Sequence, residues 1–220
     1  MTSTGNDIIA LNTINKQRSN DSRFYVKILS VAEQLLYQQP GLSSMPFENY
    51  VWLCWSVKES AYKYLKRTNP DLVFSPTKII IRQIDCPADN NVTEFENGEW
   101  EGIACSEKCY TGYLVFEGTS FYFRSKIYRE FIATVVSEDE NFAHTHWGIK
   151  TISHTDAVHQ SGAVRSFLLN RLHTILPGKD LQVGKTLAGY PIVLHKNEEL
   201  PLTVSFAHHG RFVAYSFLLQ

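Results

Sequence analysis

The stretch that most limits how this chain folds runs from about Pro46 to Arg67 and is stopped by Asn69-Pro70. Its residues sort with a helical period. Cys54, Val57, Ala61, Tyr64 and Leu65 fall on one side; Trp52, Trp55, Glu59, Tyr62, Lys63 and Lys66 fall on the other. A helix that is apolar on one side and largely aromatic on the other is expected to be covered on both. Glu59 and Lys63 nevertheless stand one turn apart within it, in the favourable Glu-then-Lys order. On an open surface such a pair contributes about 0.3–0.5 kcal/mol and has no further meaning. Among Trp52, Trp55 and Tyr62 it reads instead as the lining of a cleft, with the plain ion pair as the alternative.

The rest of the chain supplies layers for that helix. "DIIAL" near the start is a short apolar run that reads as a buried strand, with Asp7 at its mouth. "RFYVKIL" reads as helical. Ser30-Val31-Ala32-Glu33 then fits a capping box opening "VAEQLLYQQ", which Pro40-Gly41 ends. Beyond the long helix, "KIIIRQI", "GYLVFE", "SFYFRSKI" and "EFIATVVS" carry strand signals, interrupted from Cys86 to Tyr110 by a polar excursion or long loop. After "SEDENFAHTHWG" the pattern turns helical at "DAVHQSGAVRSFLLNRLHTIL", and "LQVGK", "YPIVLH", "LTVSF" and "RFVAYSF" close the chain as strands. "REFIATVV" and "RFVAYSFL" echo each other as the last strands of two similar units. The expected fold is therefore α+β: two similar subdomains, each a helix packed on an antiparallel sheet, related by a pseudo-twofold axis. The boundary falls near residues 138–147, giving halves 1–140 and 141–220.

Composition narrows the partners. Of the 220 residues 44% are hydrophobic, enough for a sizeable core, and the formal net charge is −1. That balance argues against broad electrostatic binding to nucleic acid or to an anionic membrane. No stretch is long and apolar enough to span a bilayer, and the opening "MTSTGNDIIAL" has no secretory character, so a cytoplasmic protein is expected. Cys54, Cys86, Cys105 and Cys109 lack paired CxxC spacing and are expected as reduced thiols.

Three places could carry chemistry. Asp7 in a buried strand needs a partner to offset its desolvation, or else it is a turn residue. Glu59 with Lys63 is the second. The third is "VSFAHHGRFVAYSF", with Ser205 at the end of one strand and His208 in the turn before the next. No nucleophile elbow surrounds Ser205. "TISHTD" around His154 precedes a helix, so Ser153 or Thr155 reads as its cap and His154 as incidental.

Together these segments resemble the 4'-phosphopantetheinyl transferases, in the chain order of the holo-acyl-carrier-protein synthase type. The motifs are Gly5-x-Asp7-Ile8, "RFYVKILSVAEQLLY", "WSVKESAYK" and the closing S-x-x-H before an apolar strand. The resemblance is dense from Gly5 to Arg67 and again from about Arg165 to Leu218. The length is nearer the larger, pseudo-dimeric members, with the halves exchanged in order, which suggests one site between the halves of a monomer.

The resemblance implies transfer of the phosphopantetheine arm of coenzyme A to a serine of an apo acyl or peptidyl carrier protein, with release of 3',5'-ADP. It implies Mg²⁺ held by Asp7 and Glu59, with Glu59 also orienting or activating the serine hydroxyl. Lys63 would reach the pyrophosphate, with Lys58 as a second phosphate contact. Ser205 and His208 would hold the nucleotide end. Arg165 would be a phosphate ligand and Arg171 a weaker one, against the plainer reading of both as solvated helix charges. Arg23 and Lys27 would face an acidic carrier. Two departures stand out. Ile9 occupies a position where many larger members carry a second acid. Gly189-Tyr190-Pro191 stands where the family has G-K-P, leaving that lysine's role open to Lys185 or Lys196. Both features favour the alternative, a non-catalytic homologue that binds coenzyme A or a carrier protein.

Overall fold

A computed structural model describes residues 3–89, 92–103 and 108–219. The first strand, β1 (Gly5–Ala10), lies directly on the long helix, and its first residue shows why. A Cβ at position 5 would stand 2.0 Å from the Ser60 carbonyl oxygen, so only glycine lets the strand approach this closely. Four short helical turns follow: α1 (Lys16–Ser19), α2 (Ser22–Tyr25), α3 (Val31–Leu36) and α4 (Pro40–Ser43). The capping box forms as the sequence predicts: Ser30 Oγ accepts from the Glu33 N–H, and the Glu33 carboxylate accepts from the Ser30 N–H. "RFYVKIL" is helical only to Tyr25, and Pro40-Gly41 begins a turn of its own.

The long helix is α5 (Phe47–Thr68), with Pro46 as its N-cap residue. Its residues divide as the periodicity requires. Cys54, Val57, Ala61, Tyr64 and Leu65 are buried, while Trp52, Trp55, Glu59, Tyr62, Lys63 and Lys66 are partly exposed. The buried side packs on a five-stranded antiparallel sheet built from β1, β2 (Ile80–Asp85), β4 (Tyr110–Phe116), β5 (Thr119–Ile127) and β6 (Phe131–Ser137). The strand order is β1-β6-β5-β4-β2. β6 is buried along its whole length because both faces are covered. Ile132 and Val136 join the core under α5, whereas Phe131, Ala133 and Val135 join a second core.

That second core lies between the two halves, joining Ile8, Ala10 and Phe131 to Trp147, Ile149 and Phe212. The Cys86–Tyr110 excursion contains a strand, β3 (Glu99–Ile103), which leaves the first sheet to pair with β7 (Thr145–Thr151). Neither strand is in the sequence reading. With β11 (Leu202–His209) and β12 (Phe212–Leu219) they form a four-stranded sheet of order β11-β12-β7-β3. Helix α6 (Ala157–Ile175) covers this sheet through Val164, Phe167, Leu168 and Leu172. A small sheet of β8 (Leu181–Lys185), β9 (Pro191–His195) and β10 (Glu198–Glu199) lies beside it. The fold is α+β, with a helix on an antiparallel sheet in each half.

Side chains join the halves where two sheet edges meet. β1 and β11 are outer strands of their sheets and lie together. The Asn6 N–H donates to Ser205 Oγ (3.2 Å), and the Ala10 N–H donates to His209 Nδ1 (3.3 Å). Thr4 Oγ1 donates to Ser216 Oγ at 3.0 Å. The bonds from Asn6 and Ala10 satisfy backbone donors that an unpaired edge would leave exposed. Cys54 and Cys86 are free thiols; Cys105 lies outside the described residues.

Candidate active site

The site begins where β1 crosses α5. Because side chains alternate along a strand, Gly5, Asp7 and Ile9 share one face, the face that meets the helix. Asp7 sits mid-strand rather than at its mouth, 7% exposed, and Lys63 reaches it from α5. The Lys63 ammonium donates to Asp7 Oδ1 (3.1 Å) and to the Asn6 carbonyl oxygen (3.0 Å). Asp7 Oδ2 is buried and finds no hydrogen-bond partner among the described residues. Glu59 is one turn before Lys63. Burial raises its carboxyl above the ordinary glutamate range; the Lys63 ammonium opposes this, and the Asp7 carboxylate adds to it. Two acids thus share one neighbourhood, one with an idle oxygen and one that resists ionisation.

This donor set fits a hard divalent ion of the Mg²⁺ kind, which takes one or two carboxylates and fills its remaining positions with water and phosphate oxygens. Among the described residues no group of three or more His, Cys, Asp or Glu side chains gathers to hold an ion alone. Ile9, buried on the Asp7 face, supplies no third oxygen.

Opposite this corner stands the second half. A cleft of about 380 Å³ is lined on one side by Glu59, Tyr62, Lys63, Lys66 and Arg67 of α5. On the other side are Ser161 and Arg165 of α6, Lys185, Gly189 to Pro191, and Ser205 and His208 of β11. Five of the residues singled out in the sequence, Glu59, Lys63, Arg165, Ser205 and His208, therefore share one cleft, with Asp7 immediately behind Lys63. Ser205 is buried and also holds the Asn6 N–H, so it ties the halves together as well as facing the cleft. His208 lies within β11 and not in the turn, which consists of Gly210 and Arg211. Partial burial lowers its imidazole below the ordinary histidine value; Lys63 and His209 act the same way, and Asp7 opposes them. Arg165 keeps a buried Nε without a partner among the described residues.

Other expectations need correction. Lys58 is not a phosphate contact. It is 0% exposed, and its three ammonium hydrogens are matched by Glu33 (2.8 Å), the Ile28 carbonyl (2.7 Å) and the Pro76 carbonyl (3.0 Å). Arg171 is absent from the described lining; its charge acts on His146 and Tyr215. Of the two lysines offered for the missing G-K-P role, Lys185 lines the cleft, while Lys196 sits in the β9–β10 turn. The cap of α6 is Asp156, which accepts from the His159 N–H, and not Ser153 or Thr155. His154 lies in a separate groove. The aromatic wall is partial: Tyr62 lines the cleft, whereas Trp52 packs on Phe24 and Trp55 on Phe74. Arg67 and Ser161 were not anticipated, although Arg67 follows Lys63 by one helical turn and its placement was readable.

The cleft is strongly cationic. Lys63, Lys66, Arg67, Arg165 and Lys185 line it, and Glu59 is the one acid among the described lining residues, in a chain whose net charge is −1. A family model described as the 4'-phosphopantetheinyl transferase superfamily matches residues 3–111. The chain belongs to that superfamily. The matched segment contains Asp7, Glu59 and Lys63 and ends before the Ser205–His208 wall. Membership in the 4'-phosphopantetheinyl transferase superfamily supports a phosphopantetheinyl transferase role in general. No curated protein and no solved structure matched the chain. Among the described residues no helix is long and apolar enough to cross a membrane.

Proposed function

We propose that this protein transfers the 4'-phosphopantetheine group of coenzyme A to a serine hydroxyl of an apo acyl or peptidyl carrier protein and releases 3',5'-ADP. The observation that carries the reading is the meeting of Glu59 and Lys63 from one half with Arg165, Ser205 and His208 from the other in a single cationic cleft. A ligand with three phosphate groups suits such a lining.

Asp7 and Glu59 would hold Mg²⁺, which when bound neutralises charge on the phosphoryl oxygens. The remaining roles belong to the chain. Glu59, which lines the cleft, takes the proton of the carrier serine as the new O–P bond forms. The bond from that phosphorus to the bridging oxygen breaks, and 3',5'-ADP leaves. Lys63, fixed by Asp7 and the Asn6 carbonyl, presents its charge to the pyrophosphate. His208 and Arg165, with Lys185 nearby, hold the 3'-phosphate end against Ser205.

For the carrier we assign the α2–α3 surface, where Arg23 and Lys27 are exposed beside Val26, Val31 and Leu35, an apolar and basic face for an acidic helical partner. Arg23 is held by Asp21 at 2.6 Å, an exposed pair that a carrier acid can replace. One chain supplies both walls of the cleft, so the working unit is a monomer. No nucleic acid or membrane enters the reaction.

The second reading, a homologue that binds coenzyme A or a carrier without transfer, draws on Ile9 beside Asp7 and on Lys63 already paired with that acid. Incubation with coenzyme A, Mg²⁺ and a panel of apo carrier proteins separates the two by intact-mass measurement. A gain of one phosphopantetheine on any carrier supports transfer. Coenzyme A binding with no gain on all of them supports the second reading.

A further inference from the structure

Arg67 and Tyr190 come from opposite halves and both line the cleft. The Arg67 guanidinium donates to the Val204 carbonyl of β11 and, at 3.5 Å, to the Pro191 carbonyl of β9. The same guanidinium lies over the Tyr190 ring, 5.5 Å from its centroid. The Tyr190 hydroxyl reaches back and donates to the Lys66 carbonyl at 2.8 Å, in the last turn of α5. Tyr190 is itself held in place. Its N–H donates to Thr186 Oγ1 (3.1 Å), its carbonyl accepts from the Thr186 N–H (2.9 Å), and Gly189 supplies the positive φ of 86° that the turn requires.

We infer that Arg67 and Tyr190 are positioning residues, a reciprocal latch that sets the distance between the Glu59–Lys63 wall on α5 and the Ser205–His208 wall on β11. The connectivity supports this. Lys63 is one turn before Arg67, and Val204, which receives the guanidinium, directly precedes Ser205. Each end of the latch is therefore adjacent to a working residue of its own wall. Tyr190 also answers what replaces the lysine missing from its position. The turn carries a neutral anchor there, while Lys66 and Arg67 on the facing helix supply cationic charge to the cleft.

The consequence for the reaction rests on the transfer reading above. A ligand held at one end by β11 reacts only if α5 stands at the right separation, and a displacement of about 1 Å costs on the order of 10²-fold in rate. The test uses the full chain with Tyr190→Phe, which keeps the ring over Arg67 and loses the bond to Lys66, and Arg67→Lys, which keeps the charge and loses the planar fork. Three quantities are measured: single-turnover rate on a carrier, Kd for 3',5'-ADP, and hydrogen exchange over residues 64–69 and 186–191.

The latch expects faster exchange in both segments. It also expects a single-turnover rate reduced about tenfold or more while Kd for 3',5'-ADP stays within about twofold. Unchanged exchange in both variants overturns the latch, as does a loss confined to 3',5'-ADP affinity, which would make Arg67 a direct anion ligand. If the wild type neither transfers nor binds 3',5'-ADP, the transfer reading fails, and the exchange measurement still decides whether the latch exists.

Discussion

Lys58 and Lys63 stand five residues apart on one helix and have opposite environments. The side chain of Lys58 is 0% exposed against Glu33, and that of Lys63 is 27% exposed at the cleft. Removing the Lys58 ammonium leaves Glu33 buried without its charge partner, so Lys58→Met should lower stability by about 3–5 kcal/mol. Adding Glu33→Gln should recover much of that loss, and KM for coenzyme A should not change; urea denaturation and steady-state kinetics check both. The sequence held half of this result. Lys58 falls on the Cys54–Ala61–Leu65 side of the helix, which is the buried side, so its exclusion from the cleft followed from the period already in use. The identity of its partner did not, because Glu33 lies twenty-five residues earlier, inside a capping box whose local logic was complete without it. His208 gives a second expectation at this scale. Partial burial and Lys63 hold its imidazole below the ordinary histidine value. A bound 3'-phosphate would favour the charged form, so coenzyme A binding should take up a proton and strengthen as pH falls from 7 toward 6. Calorimetry in buffers of different ionisation enthalpy should show that uptake in the wild type and not in His208→Ala.

Between elements, the critical seams are β1 on α5 and β1 beside β11. Gly5→Ala places a methyl group 2.0 Å from the Ser60 carbonyl and should cost about 1–3 kcal/mol or more, read by denaturation, with loss of the Asp7 alignment. His209 closes the other seam by accepting the Ala10 N–H, a role open only to the unprotonated ring nitrogen. Burial lowers its folded-state pKa below the unfolded value. The unfolded chain therefore binds the proton more readily. The stability from His209 is fully present above the unfolded imidazole value and is lost as pH falls from there through the folded one. The Tm should fall across that window, and less steeply in His209→Asn, whose amide oxygen accepts the same bond. Strands β3 and β7 escaped the sequence reading for a physical reason. β3 is an edge strand with only part of its surface covered, so its residues look like loop. In β7, "THWGIKT" mixes His, Gly and Lys among its apolar residues, and Gly148 is there because the Tyr215 ring fills the space a side chain would need.

At the scale of the whole molecule, the long helix and the strands of the first sheet were legible because each has a strong period, whereas the pairing of distant motifs came from the resemblance to the transferase family. The crossing of β3 into the second sheet and the charge of the cleft were not legible. Both depend on where the halves dock, which no local window records. Docking turns a nearly neutral chain into one with a concentrated cationic cleft and places two acids at its corner. The most direct test is single-turnover transfer to an apo carrier by the wild type and by Glu59→Gln, each verified as folded, with intact mass as the readout. The wild type is expected to add one phosphopantetheine, and Glu59→Gln to do so about 10²–10⁴-fold more slowly. A wild type that leaves every carrier unmodified, or a Glu59→Gln protein as fast as the wild type, would contradict the account.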